Sequence, residues 1–138
     1  MGINPKIGIT GLPRSGKSAV LQKVIDMITE NEKVFRRTKG PNPPEHLVGG
    51  MRVEAIIEDG ERVGFACVNM LTGEKGTMAH KKIDSRNRVL GFGIDPTEID
   101  RVGVPAIMDS IGNCEILVID EVGKFTVESD GFVNAVRV

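Results

Sequence analysis

The run Gly11-Leu12-Pro13-Arg14-Ser15-Gly16-Lys17-Ser18 sets two glycines, a lysine and a hydroxyl at the spacing G-x-x-x-x-G-K-[ST], the pattern of a loop that wraps phosphate groups. The residue types supply the chemistry. Glycines let successive backbone N–H groups curl towards phosphate oxygens, and the start of a following helix adds partial positive charge at the same point. Lys17 is suited to bridge the β- and γ-phosphates of a nucleotide, and the Ser18 hydroxyl to hold Mg²⁺. The plain alternative is a Gly-rich turn that binds nothing. It would leave Lys17 in the first turn of a helix, where a cation is electrostatically disfavoured.

A second constellation lies far along the chain, where Ile116-Leu117-Val118-Ile119 runs into Asp120-Glu121. A carboxylate at the carboxyl end of a strand, beside a phosphate loop, can hold the Mg²⁺ shell, which is the role expected of Asp120. Glu121 follows immediately and is suited to orient or deprotonate an attacking water. Taken alone, the pair reads equally well as a solvated acidic turn. Together with the phosphate loop it predicts hydrolysis of a γ-phosphate.

These residues need elements to position them. Lys6 to Thr10 is a short β-branched run that predicts a strand, and Lys17 to Glu30 carries Val20, Leu21, Val24, Ile25 and Ile28 at helical spacing. The phosphate loop therefore falls between a strand and a helix, as its mechanism requires. Lys39 to Gly50 concentrates glycine and proline and predicts a mobile surface loop. Met51 to Cys67 alternates about Asp59-Gly60, the pattern of a hairpin, with Thr72-Gly73 closing its far end. Arg88 to Ile94 is a further candidate strand. Val104 to Ile111 reads as a helix with Pro105 in its first turn and Gly112 past its end, and the last residues read as the start of another. The apolar run before Asp120 predicts a parallel strand buried on both faces. The expected fold is α/β, a three-layer sandwich of the P-loop type with a mostly parallel sheet and an inserted β segment at about residues 51–80, all in one domain spanning 1–138.

Composition narrows the function classes. The 138 residues carry 18 Lys plus Arg against 19 Asp plus Glu, a balance that disfavours nucleic acid as a partner. No apolar run approaches the ~20 residues that cross a bilayer, and the start Met-Gly-Ile-Asn-Pro-Lys has no signal-peptide pattern. No membrane partner and a cytoplasmic location are expected. Cys67 and Cys114 lack metal spacing and are expected as reduced, buried small hydrophobes, while His46 and His80 are expected as exposed and inert. Arg36, Arg37 and Lys39, and again Lys81, Lys82, Arg86 and Arg88, read as solvated charge runs. The functional alternative is an arginine that reaches the triphosphate, with Arg14 nearest to it. With no Trp or Tyr and five Phe, there are few rings to clamp a base, so broad nucleotide tolerance is expected.

Several segments together resemble one family, the small nucleoside triphosphatases of the P-loop class. Ile7-Gly8-Ile9-Thr10-Gly11-Leu12-Pro13 with Gly16-Lys17-Ser18 is similar to its opening, the Walker A segment. Arg62-Val63-Gly64-Phe65 and Leu71-Thr72-Gly73-Glu74 resemble its inserted β segment. Gly103-Val104-Pro105-Ala106 and Asp120-Glu121-Val122-Gly123-Lys124 resemble its second signature, the Walker B side. The resemblance covers nearly the whole chain. It implies slow, Mg²⁺-dependent hydrolysis of several nucleoside triphosphates, and places Gly123 and Lys124 near the phosphates. Arg14 stands where the family usually has Gly, and Thr126 where an acidic residue is usual. Family members generally continue for several more elements, so a short C-terminus is expected to expose a sheet edge and an apolar face, inviting self-association; a monomer or weak homo-oligomer is expected. Two other readings compete: a small kinase passing the γ-phosphate to a nucleoside or metabolite, and a non-enzymatic nucleotide-dependent switch.

Overall fold

Asp59-Gly60 and Thr72-Gly73 divide the alternating apolar region into three strands: β1 (His46–Glu58), β2 (Glu61–Asn69) and β3 (Lys75–His80). The computed structural model describes residues 6–12, 15–35 and 45–138. Asp59 and Gly60 take φ of 51° and 77°, the left-handed pair that lets a tight turn match the twist of the strands it joins. Leu90 and Gly91 repeat the device between β4 (Arg88–Val89) and β5 (Phe92–Ile94). The last strand, β6 (Cys114–Asp120), returns alongside β1. The sheet order is β4-β5-β3-β2-β1-β6.

The α/β expectation holds, with corrections of detail. The described sheet is mixed, because β1, β2, β3, β5 and β4 join as antiparallel neighbours and β1–β6 alone is parallel. Residues 6–10 form no strand and lie exposed, with Ile7 and Ile9 at 85% and 47%. A β-branched run is a strand only where another strand accepts its backbone, and no described residue does so here. For the same reason β6 is the edge of the described sheet: Val118 is buried, but Leu117 is exposed. The Pro-rich region also divides. Residues 39–44 lie outside the described residues, and His46–Gly50 are already β1.

Glycine permits that strand start. Gly50 has φ of 123°, and a Cβ added there would lie 1.9 Å from the Val118 carbonyl oxygen. The close approach of β1 to β6 therefore needs a residue without a side chain.

Helices cover both faces. On one side lies α1 (Lys17–Glu30), followed by the single turn α2 (Glu32–Phe35). On the other, α3 (Pro96–Glu98) passes through a wider π turn (Ile99–Gly103) into α4 (Val104–Met108). The predicted helix thus begins earlier than Val104, and its start signal is Asp95, which caps Thr97 N–H ahead of Pro96. A 3₁₀ turn (Thr126–Glu128) leads to α5 (Asp130–Arg137). Ser129 caps α5 through Phe132 N–H and its hydroxyl also bonds Asp100, which pins α5 to the π turn. Met51, Cys67, Met78, Ile99, Val102, Ile107 and Phe132 form the core between this layer and the sheet. Phe65, Phe92 and Phe125 close its end as a cluster with ring centroids 4.8 to 5.8 Å apart.

Candidate active site

The parallel register of β1 and β6 decides which side chains meet. Met51 pairs with Ile119, and both face the core; Arg52 pairs with Asp120, and both belong to the opposite face, under α1. Asp120 ends its strand at the carboxyl edge of this parallel pair, the edge at which open α/β sheets bind ligands.

The phosphate loop approaches that edge from the first turn of α1. Ser18 Oγ donates to Asp120 Oδ1 at 3.4 Å, across 102 residues of sequence. Lys17 Nζ folds back over its own loop and donates to the carbonyls of Gly11 at 2.9 Å and Leu12 at 2.8 Å. Ser15 N–H closes on the Leu12 carbonyl at 3.2 Å. Gly16 caps the helix at φ of 91°, a left-handed position that strains any residue with a side chain. Gly11, Leu12, Ser15, Gly16 and Ser18 are exposed, so a ligand can reach the described part of the loop. Pro13 and Arg14 lie outside the described residues, as do Arg36, Arg37 and Lys39.

After Asp120 the chain turns through Glu121 and Gly123 to Lys124. Glu121 and Lys124 are exposed, and the Glu121 carboxylate lies over Gly123, where an added Cβ would be 3.0 Å from Oε1. Sequence reasoning marked Thr126 only as a departure from a pattern; the fold gives it a task. Its hydroxyl accepts from Gly123 N–H at 3.0 Å and donates to the Glu121 carbonyl at 2.9 Å, from a position only 1% exposed. One buried hydroxyl thus fixes the turn that carries Glu121.

Arg52 was also missed, because its place depends on strand register, which the local sequence does not reveal. It joins Ser18, Gln22 and Asp120 around a groove floored by Leu21 and Ile25. Its guanidinium pairs with Glu54 at 2.7 Å, and Lys75 pairs with the other oxygen of that carboxylate at 2.7 Å. The Lys75 hydrogen bond, with Arg52 beside it, holds the Glu54 carboxyl below the usual carboxylate range.

The remaining candidates sit elsewhere. Burial pushes the Cys67 thiol up to about 11, which suits an inert thiol, whereas Cys114, expected to be buried, is only half-buried, though burial raises its thiol as well. His80 corrects an expectation: it ends β3 with a side chain only 14% exposed, and its Nδ1 accepts from Lys82 N–H. Arg88 bonds backbone carbonyls of Ile83 and Gly91, and Arg101 pairs with Glu98 and Glu74.

A phosphate-type loop opening a helix, set against the acidic end of a parallel strand, defines the P-loop class of α/β proteins. Comparison with known proteins carries this further. A family model described as NTPase matches residues 6–138, and the chain belongs to that family. It is 29% identical to nucleoside-triphosphatase THEP1 of Methanosarcina barkeri, over 96% of this chain and 68% of the relative. It is 32% identical to the protein of that name from Thermofilum pendens, over 93% of this chain and 63% of the relative. The crystal structure of THEP1 from the hyperthermophile Aquifex aeolicus superposes with a TM-score of 0.67 at 20% identity, covering 91% and 63% of the two chains. The solution structure of a human cancer-related nucleoside triphosphatase gives 0.66 at 26%, covering 92% and 65%. The chain therefore spans roughly two thirds of the length of the relatives it matches.

Proposed function

We propose that this site hydrolyses nucleoside triphosphates, ATP and GTP among them, to the diphosphate and phosphate in a Mg²⁺-dependent reaction. The observation that carries the reading is the Ser18–Asp120 contact, which joins the phosphate loop to the carboxyl end of β6. Family membership and the names of the relatives support the substrate class. The donors fit Mg²⁺: a hydroxyl and a carboxylate are hard oxygens, and Mg²⁺ takes few protein ligands while keeping several waters. Ser18 and Asp120 would hold it, and when bound it neutralises charge on the β- and γ-phosphates.

The chain's own groups do the rest. Backbone N–H groups of the loop from Gly11 to Ser18, apart from Pro13, which has none, bind the phosphates, and Ser15 N–H exchanges the Leu12 carbonyl for them. Lys17 exchanges its carbonyl partners for β- and γ-phosphate oxygens. Glu121, on the turn fixed by Thr126, orients the water. The water oxygen attacks the γ-phosphorus, the bond to the β–γ bridging oxygen breaks, and the diphosphate leaves with that electron pair. The water's proton passes by way of Glu121 to solvent. Gly123 and Lys124 line the same edge. Phe65, Phe92, Phe125 and Phe132 are engaged in or against the core, which leaves them unsuited to stack on a base and supports broad base tolerance. We also read the protein as a cytoplasmic monomer or weak homo-oligomer that binds neither nucleic acid nor membrane. Its near-neutral charge supports this, and among the described residues no helix is long and apolar enough to cross a membrane.

Nucleotide binding tests the site. Lys17→Ala is expected to abolish binding of ATP measured by calorimetry, and normal binding would overturn the assignment. A phosphorylated acceptor forming faster than free phosphate would transfer the reading to a kinase.

A further inference from the structure

We propose that Arg52 is a phosphate-contacting residue, the cation that this chain supplies in cis to the γ-phosphate as charge develops during hydrolysis. The proposal rests on the nucleoside-triphosphate reading above. Three observations carry it. Arg52 is the register partner of Asp120, at the carboxyl end of the only parallel strand pair among the described residues. It lines the same groove as Ser18 and Asp120, with its side chain 46% exposed, so a ligand can reach it. It is held in place, since Glu54 grips it at Nη2 and Lys75 anchors Glu54 from β3.

Chemistry selects the ligand class. A guanidinium presents five N–H donors in a rigid fork matched to phosphate oxygens, and the Glu54 pair engages it at one of its three nitrogens. Arg52, Glu54 and Lys75 together carry one net positive charge beside an acidic strand end, which suits an anionic ligand whose metal shell Asp120 serves. The other arginines with described contacts are committed elsewhere: Arg62 lies over the Phe65 ring, Arg88 binds backbone carbonyls, and Arg101 binds two glutamates. Glu54 is then a positioning residue, acting through Arg52.

The test measures steady-state phosphate release from Mg²⁺-ATP for the wild type, Arg52→Ala, Arg52→Lys and Lys17→Ala, with urea unfolding of each. Arg52→Ala is expected to lower kcat by about 1,000-fold or more, within the range that arginine contacts supply in phosphoryl transfer. Its unfolding midpoint should stay near that of the wild type, since the side chain is half exposed. Arg52→Lys should recover part of the loss, because it restores charge without the fork. Added guanidinium at millimolar concentration should raise kcat of Arg52→Ala and leave the wild type unchanged. If Lys17→Ala is inactive while Arg52→Ala turns over within about threefold of the wild type, the Arg52 role is overturned and the site reading stands. A fall in kcat matched by an equal fall in stability, with no rescue by lysine or guanidinium, also overturns it. If Lys17→Ala is fully active, the site reading fails and takes this proposal with it.

Discussion

Removing one hydroxyl, Thr126→Val, should both destabilise the fold and loosen the turn that carries Glu121. The swap preserves shape at a residue that is 1% exposed. It deletes the acceptor of Gly123 N–H and the donor to the Glu121 carbonyl. Two such bonds are worth about 1 kcal/mol each, and backbone groups left without partners raise the total to about 2–3 kcal/mol. Thr126→Ser keeps the hydroxyl and loses one methyl group, at a cost of about 1 kcal/mol. With an m-value of about 2 kcal/mol/M for urea, the midpoint should fall by roughly 1 M or more for Val and about half of that for Ser. Phosphate release should follow the same order, because Val frees the turn and Ser does not. The assay is a urea titration followed by circular dichroism at constant m, paired with phosphate release well below the midpoint. If Val proves as stable and as active as Ser, the hydroxyl does not hold this turn and the reasoning fails.

Other expectations follow from particular contacts. Gly50→Ala must fit a Cβ against the Val118 carbonyl at a left-handed φ, so a loss of at least about 3 kcal/mol is expected, measured by thermal unfolding. A loss below about 1 kcal/mol would contradict the β1–β6 register. Native protein treated with iodoacetamide near neutral pH should be alkylated at the half-buried Cys114 before the buried Cys67, as peptide mapping would show. Because the Cys67 thiol is raised from 9.0 to about 11 in the fold, its contribution is intact below pH 9. It should be lost as pH climbs to 11, by on the order of 2 kcal/mol. Cys67→Ala should flatten that loss in alkaline unfolding curves. Glu54 has the opposite sign: its lowered carboxyl stabilises above about pH 4.5 and stops doing so as pH falls through the folded value. The stability gap between the wild type and Glu54→Gln should therefore narrow in acid.

What could be read from the chain was local. The phosphate loop, the amphipathic run of α1, the turn at Asp59-Gly60 and the apolar strand ending in Asp120 each announce themselves within a few residues. The pairing of Ser18 with Asp120 followed from motif chemistry. Relations between distant segments were not legible. Residues 6–10 have the composition of a strand, but composition cannot say whether another strand receives them. Ile116 to Ile119 has the look of a fully buried strand, yet lies at the edge of the described sheet. Arg52 is unremarked in an alternating run until the parallel register sets it opposite Asp120. Thr126 acquires meaning only when the turn folds back on it. The start of the helix at Pro96 was available, since Asp95-Pro96 is a start signal, but the Gly103-Val104-Pro105 stretch masked it by resembling a start of its own.

The central claim is tested most directly by free-phosphate release from ATP, GTP, CTP and UTP, with and without Mg²⁺, by the wild type and Glu121→Gln. Release from several nucleotides, dependent on Mg²⁺ and reduced by about 100-fold or more in Glu121→Gln while ATP binding persists, is the predicted result. Release that is indifferent to Mg²⁺ or to the loss of the Glu121 carboxylate would contradict it.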